Sequence, residues 1–280
     1  MAETEDEAVA AADDALYVLT AVLLTPAQFP SVLGDDYPEA CAALGLAPRA
    51  DGYGLVLGQD GDGARWTVVI DDVSLVAVAI ASWDCGMEYD LSPDERTVVA
   101  ALPGWPLAVA VAAPGVPAPH DPGPDMADRD PLTPPDTSAW GPAQRRLGAD
   151  EIALQWAVWR EQIDDADFPR PGNAPKEAGE DAPEGREDAP KGHSGVRRVL
   201  AEVRAYVDSP PPLGRVRSSF APGEARTLRA DGPGWSMVAR TDDIAFVLLD
   251  DEPGEVLPVG RGPELPGLLE ALDKLAVRPS

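Results

Sequence analysis

The stretch WSMVARTDDIAFVLLDD (residues 235–251) decides how the chain is read. It runs from an alternating segment to an aspartate pair (Asp242, Asp243), then through a nearly all-apolar segment to a second pair (Asp250, Asp251). Alternation fits a half-buried strand, and a short apolar run bounded by turn residues fits a fully buried one. Aspartate tolerates turn conformations, and its carboxylate accepts local backbone N–H groups. The first pair therefore suits a tight antiparallel turn and the second a strand exit. A catalytic pair would need two carboxylates converging in a cleft with their pKa values driven apart. Adjacent strand residues point to opposite faces, so Asp242 and Asp243 are badly placed to share one substrate or one metal ion.

The same order of features occurs earlier. DGARWTVVIDDVSLVAVAIAS (62–82) and DGPGWSMVARTDDIAFVLLDD (231–251) share Asp-Gly, a Trp, an alternating segment, an Asp pair and an apolar segment. Asp72 precedes Pro93 by 21 residues and Asp243 precedes Pro263 by 20, so each apolar segment leads to a Pro-started helix at a similar distance. The echo predicts a duplicated unit, and chance likeness between two Val-rich hairpins competes with it.

The expected fold class is α+β, with two related units. Each is an antiparallel β-meander with flanking helices on one face, and a linker-flanked Trp-containing helix is added to them. The N-terminal unit (1–112) reads as helices 8–24 and 37–46, then strands 53–58, 64–70 and 73–81. A helix near 93–102, opened by the capping box Ser92-Pro93-Asp94-Glu95, and a strand at 106–112 complete it. The C-terminal unit (195–280) opens with a helix striped by Val196, Val199, Leu200, Val203 and Val207. Strands follow at 214–219, 225–229, 235–240 and 244–250, and a last helix turns Leu265, Leu268, Leu269 and Leu272 inward.

Composition predicts a Pro-rich linker over 113–147 and a disordered Pro/Gly/charged linker over 167–194. Between them, over 148–166, Ile152, Trp156, Trp159 and Ile163 fall on one helical face. That face packs on its own domain, the simpler reading, or presents the four residues as partner-binding anchors of a tethered recognition helix.

Acidic residues number 49 against 22 basic ones, giving a net charge of −27. That balance excludes direct nucleic-acid binding and docking on anionic membranes, keeps the protein soluble and steers basic partners towards it. The basic residues are almost all Arg, with lysine only at 176, 191 and 274, a usage typical of GC-rich bacterial genomes. The acidic N-terminus lacks the positive region of a secretory signal, and the apolar runs are too short to span a bilayer; a cytoplasmic location is expected. Cys41 and Cys85 read as buried free thiols before a disulfide.

The only histidines, His120 and His193, fall in the expected linkers, which leaves nucleophilic triads and His-ligated zinc without support. No Walker A, GxGxxG or kinase motif is present, so no cofactor, catalytic residue or metal ligand is assigned. In GQDGDGAR (58–65), Asp60 and Asp62 fit the first two positions of a calcium loop. Ala64, Arg65 and Asp71 break the pattern, and a Gly-Asp-Gly hairpin explains it better. What remains for chemistry is an acidic cluster, Asp84, Glu88 and Asp90, around Cys85.

The functional expectation is a non-enzymatic acidic protein-interaction or chaperone-like module of a bacterial cytoplasm, whose partner is another, basic protein. Two alternatives stand beside it. One is a carboxylate-based or Mg-dependent enzyme using Asp84, Glu88 and Asp90. The other is an acidic inhibitor or immunity protein that covers a basic active site.

Overall fold

A computed structural model describes residues 16–77, 93–106, 109, 132, 139–164, 168 and 191–278. The chain divides into two compact units, Met1–Asp136 and Thr137–Ser280. The boundary falls inside the Pro-rich stretch 113–147. The class is α+β, with one four-stranded and one five-stranded antiparallel sheet. Among the described residues no helix is long and apolar enough to cross a membrane.

The N-terminal unit is a meander of β1 (Tyr17–Leu24), β2 (Tyr53–Gln59), β3 (Arg65–Ile70) and β4 (Val98–Pro103), each antiparallel to the next. Helix α1 (Tyr37–Ala43) starts at Asp36, whose carboxylate accepts the Glu39 N–H at 2.8 Å. Tyr37, Ala40, Cys41 and Leu44 pack on Leu55, Leu57 and Leu102 across one sheet face. The opposite face is also covered, by Val76 on Val56 and Ile70. A Cβ at Gly54 would lie 2.2 Å from Val76 Cγ2, so only glycine lets that segment seat on β2. The Cys41 thiol is pushed up by burial, which keeps it inert despite a hydrogen bond with Tyr37. Cys85 lies outside the described residues.

Three expectations for this unit fail. Residues 17–24 form a strand, not the second half of a helix. Their apolar side chains go to both faces, Leu19 and Val22 to one and Val18, Ala21 and Leu23 to the other. An apolar run buried on two sides has no period that tells strand from helix. Residues 73–77, expected as a strand, are helical, and Asp72 Oδ1 accepts the Leu75 N–H at 3.2 Å, as an N-cap does. The helix near 93–102 is only a 3-10 turn, Glu95–Thr97, set by Asp94, before β-branched Val98 and Val99 enter β4. The match between 62–82 and 231–251 thus stops at the aspartate pair, which leads to a helix in one unit and a strand in the other. Of the strand expected at 106–112 only Pro106 and Val109 are described, and Val109 is helical.

The C-terminal unit holds α2 (Pro142–Leu154), α3 (Trp156–Glu161), α4 (Lys191–Asp208), β5 (Val216–Phe220), β6 (Arg226–Gly232), β7 (Trp235–Arg240), β8 (Ala245–Leu249), β9 (Leu257–Val259) and α5 (Leu265–Leu275). The strands again form a sequential meander. Alternation sorts its side chains cleanly. Trp235, Met237 and Ala239 of β7, with Ala245, Val247 and Leu249 of β8, face α4 and α5, where Val199, Val203, Leu265, Leu268, Leu269 and Leu272 meet them. Val238, Phe246 and Leu248 face the other way, against Ala149, Ile152 and Trp156. Helices therefore cover both faces, not one, and β8 is buried at every position. On the α4 side Gly195 lies against the end of the Leu249 side chain, whose Cδ1 would stand 2.3 Å from a Cβ placed there.

The helix expected at 148–166 begins earlier, at Pro142, and is broken at Gln155 into α2 and α3. His193, expected in a linker, lies in the backbone of α4, while His120 is outside the described residues. Strand β9 was not foreseen; three residues between loops give no usable period. At the other edge, Val277 pairs with β5, donating to Val216 O at 2.9 Å and accepting from Ser218 N at 3.0 Å.

Candidate functional site

The face of the C-terminal sheet beneath α2 and α3 gathers most of the unusual chemistry among the described residues. Both aspartate pairs of the 235–251 stretch take part, and the two members of each find different partners. Asp243 accepts Trp156 Nε1 at 3.2 Å and Arg160 Nε at 3.0 Å, which ties α3 to the β7–β8 turn. Its neighbour Asp242 turns outward to Arg240 at 2.9 Å. At the far end of β8, Asp250 pairs with the fully buried Arg145 of α2 at 3.1 Å, whereas Asp251 reaches Arg198 of α4 at 3.5 Å. Asp250 and Asp251 thus clip helices on both sides of the sheet, Asp243 clips α3 alone, and no ligand is shared between the members of either pair.

Between the clips the seam is apolar. Trp156 meets Phe246 edge-on, with ring centroids 5.2 Å apart, and Ile152 is fully buried. Burying one such side chain contributes about 1.5–3 kcal/mol, while a partly exposed ion pair contributes about 0–1 kcal/mol. The apolar seam therefore supplies most of the docking energy, and the clips set its register.

Towards β5 and β6 the same face becomes ionic. Asp231 is fully buried and accepts Arg229 Nε at 3.0 Å, Arg217 at 3.1 Å and the Ser236 hydroxyl at 2.6 Å. Arg229 also pairs with Asp150 of α2 and donates to the Arg146 carbonyl at 3.4 Å. Burial pushes the Asp231 carboxyl up, but the Arg229 and Arg217 guanidinium groups, with the Ser236 and Arg229 hydrogen bonds, outweigh it and hold it below the usual carboxylate range. Arg217 is held down by burial and by the Arg229 charge beside it; as an arginine it stays protonated. Burial also pushes Asp243 up, and the Arg160 and Trp156 hydrogen bonds reverse it, leaving the group lowered.

The sign of the pH dependence follows from these lowered values. A carboxyl whose folded pKa is depressed contributes its stability in full above the unfolded value, about 3.9, and loses it as pH falls through the folded value. The stability difference between wild type and Asp243→Asn is expected to stay constant from pH 7 down to about pH 4 and to shrink below it. Urea unfolding of both proteins at several pH values checks this; a difference that grows on acidification would show the sign to be wrong.

Among the four residues considered as partner anchors, Ile152 and Trp156 are buried in this seam, and Trp159 and Ile163 are partly buried against it. The outward side of the same segment instead shows Leu154 (86% exposed) and Val158 (55%). The alternative acidic cluster, Asp84, Glu88 and Asp90, lies outside the described residues. Among the described residues no three His, Cys, Asp or Glu side chains come together in a way that could hold a metal ion. Asp60 is occupied within its hairpin: Oδ1 accepts the Asp62 and Ala64 N–H groups at 3.0 and 2.9 Å, and Oδ2 accepts Trp66 Nε1 at 2.9 Å.

The Arg217–Asp231–Arg229–Asp150 network was missed by the sequence reading. A faint signal existed, because Arg229 and Asp231 stand two apart on a strand and so share a face. What the fold and this site define is a two-unit α+β protein whose C-terminal sheet is clamped by an ion-clipped helical layer. No protein-family model matches the chain, and no curated protein or solved structure matches it either.

Proposed function

We propose that the chain is a non-enzymatic acidic interaction module that binds a basic partner protein in a bacterial cytoplasm. The disposition of its carboxylates supports this. Those drawn into the C-terminal unit are neutralised there: Asp231 by Arg217 and Arg229, Asp243 by Arg160, Asp250 by Arg145. General acid–base work needs a carboxyl pushed up towards neutrality, and Asp231 and Asp243 are held down and saturated with donors. Surplus acids such as Asp51, Glu151, Glu161, Asp208 and Glu224 stand exposed, where they draw a cationic surface in and suppress acidic competitors.

The full chain used as bait in bacterial extract tests the reading, with washes at about 0.05 M and about 0.5 M salt to span strong and weak screening. A basic protein retained at low salt and released at high salt is the expected result. Recovery of no partner, together with Mg²⁺-dependent turnover in a substrate screen, would overturn it.

A further inference from the structure

Helices α4 and α5 do not close against each other along their whole length. Between them lies an open groove of about 300 Å³. Its apolar lining is Leu268, Ala271 and Gly267 of α5 and Val207 of α4, and Val207 is 39% exposed. On α5 the outward positions one turn apart carry Gly and Ala, where the inward stripe carries leucine, and this leaves the notch. A Cβ at Gly267 would meet nothing within 4 Å. A volume at the lower bound of small-molecule pockets (~300–1,000 Å³), open along one side, suits a protruding side chain better than an enclosed ligand.

The charges at the rim narrow the occupant. Arg204 is paired with Glu264, while Asp208 has no hydrogen-bond or ion-pair partner among the described residues. The uncompensated charge beside the groove is therefore negative. A second copy of this chain brings a net charge of −27 and is repelled, and an anionic lipid surface is repelled in the same way. A cationic amphipathic segment meets both features, with an apolar side chain for the notch and a Lys or Arg beside it, the helix-in-groove mode of recognition.

We propose that the α4–α5 groove seats one apolar side chain of a cationic amphipathic segment of a partner protein, with Asp208 pairing the basic residue next to it. This assignment rests on the protein-interaction reading above and gives it a place. The probe is a fluorescein-labelled synthetic amphipathic helix of lysine and leucine, titrated with the full chain and followed by anisotropy.

Wild type is expected to bind. Gly267→Leu, which fills the notch, is expected to weaken binding about tenfold, the scale of losing one buried anchor. Asp208→Asn is expected to weaken it about threefold, as loss of one exposed charge pair does. Gly267→Leu should melt at or above the wild-type temperature, since glycine is the poorer helix former, so its effect is not unfolding. Leu154→Ser, on the outward face of α2, should leave binding unchanged. If wild type and Gly267→Leu bind equally, the groove is overturned while the interaction reading survives. If wild type does not bind the peptide at all, the groove assignment is overturned, and the interaction reading is decided by the extract experiment above.

Discussion

Replacing Asp231 with alanine is expected to lower the unfolding free energy of the C-terminal unit by about 3–5 kcal/mol, the cost of breaking a buried ion pair from one side. The carboxylate has zero exposure and gathers two guanidinium groups and the Ser236 hydroxyl. Its removal leaves Arg229 with Asp150 alone to offset a charge deep under α2, and strips Arg217 of the same partner. The desolvation cost of those two cations, met in the native protein largely by Asp231, then loses its largest offset. Asp231→Asn keeps the shape and one acceptor, so it should cost less than the alanine variant. Exchanging Arg217, Asp231 and Arg229 together for apolar residues of similar volume should recover most of the loss, because an intact buried network contributes little net stability. Urea unfolding measures all three. A cost below about 1 kcal/mol for Asp231→Ala would mean that water reaches the network and that it is not the closed cluster described above.

Trp156→Ala is the second large effect, about 3–5 kcal/mol for deleting a large aromatic side chain from a packed seam. Trp156 is 8% exposed, meets Phe246 edge-on and donates its indole N–H to Asp243. Alanine leaves a cavity over Phe246, and Asp243 keeps Arg160 and the Ile244 N–H but loses the indole donor. Trp156→Phe retains the ring contact and should cost nearer 1 kcal/mol, the value of one hydrogen bond. Because the loss falls on one face of the sheet, its signature is local. Amide exchange should rise through α2 and α3 while α4 and α5 stay protected on the opposite face. Uniform loss of protection across both faces would show that the helical layer does not dock as a separable element.

Several features of this fold were legible from residues alone. The stripe on α4 from Val196 to Val203, though not its last member Val207, the four inward leucines of α5 and the bounds of β2, β3 and β7 followed from period and turn residues, because each is amphipathic or ends at residues that stop it. The segments 17–24 and 73–77 were not legible. In 17–24 the apolar side chains are claimed from two sides by neighbours distant in sequence, so no period survives to name the element, and 73–77 is too short a run to show a helical period. At 93–102 a sound helix-start signal lost to pairing with β3, since β-branched residues gain more from the ladder than from one further helical turn.

The aspartate pairs show where the boundary lies. Sequence by itself determined that Asp242-Asp243 and Asp250-Asp251 stand as turn and exit residues at the ends of a buried strand. It determined too that the chain carries a large acidic surplus. Only the tertiary structure decided what each carboxylate meets: Arg160 and Trp156 for Asp243, Arg145 for Asp250, Arg198 for Asp251, and for Asp72 the first turn of a helix. Local propensity sets the direction of a side chain. The partner it finds there depends on chain from far along the sequence, and that is settled only when the sheet faces are covered.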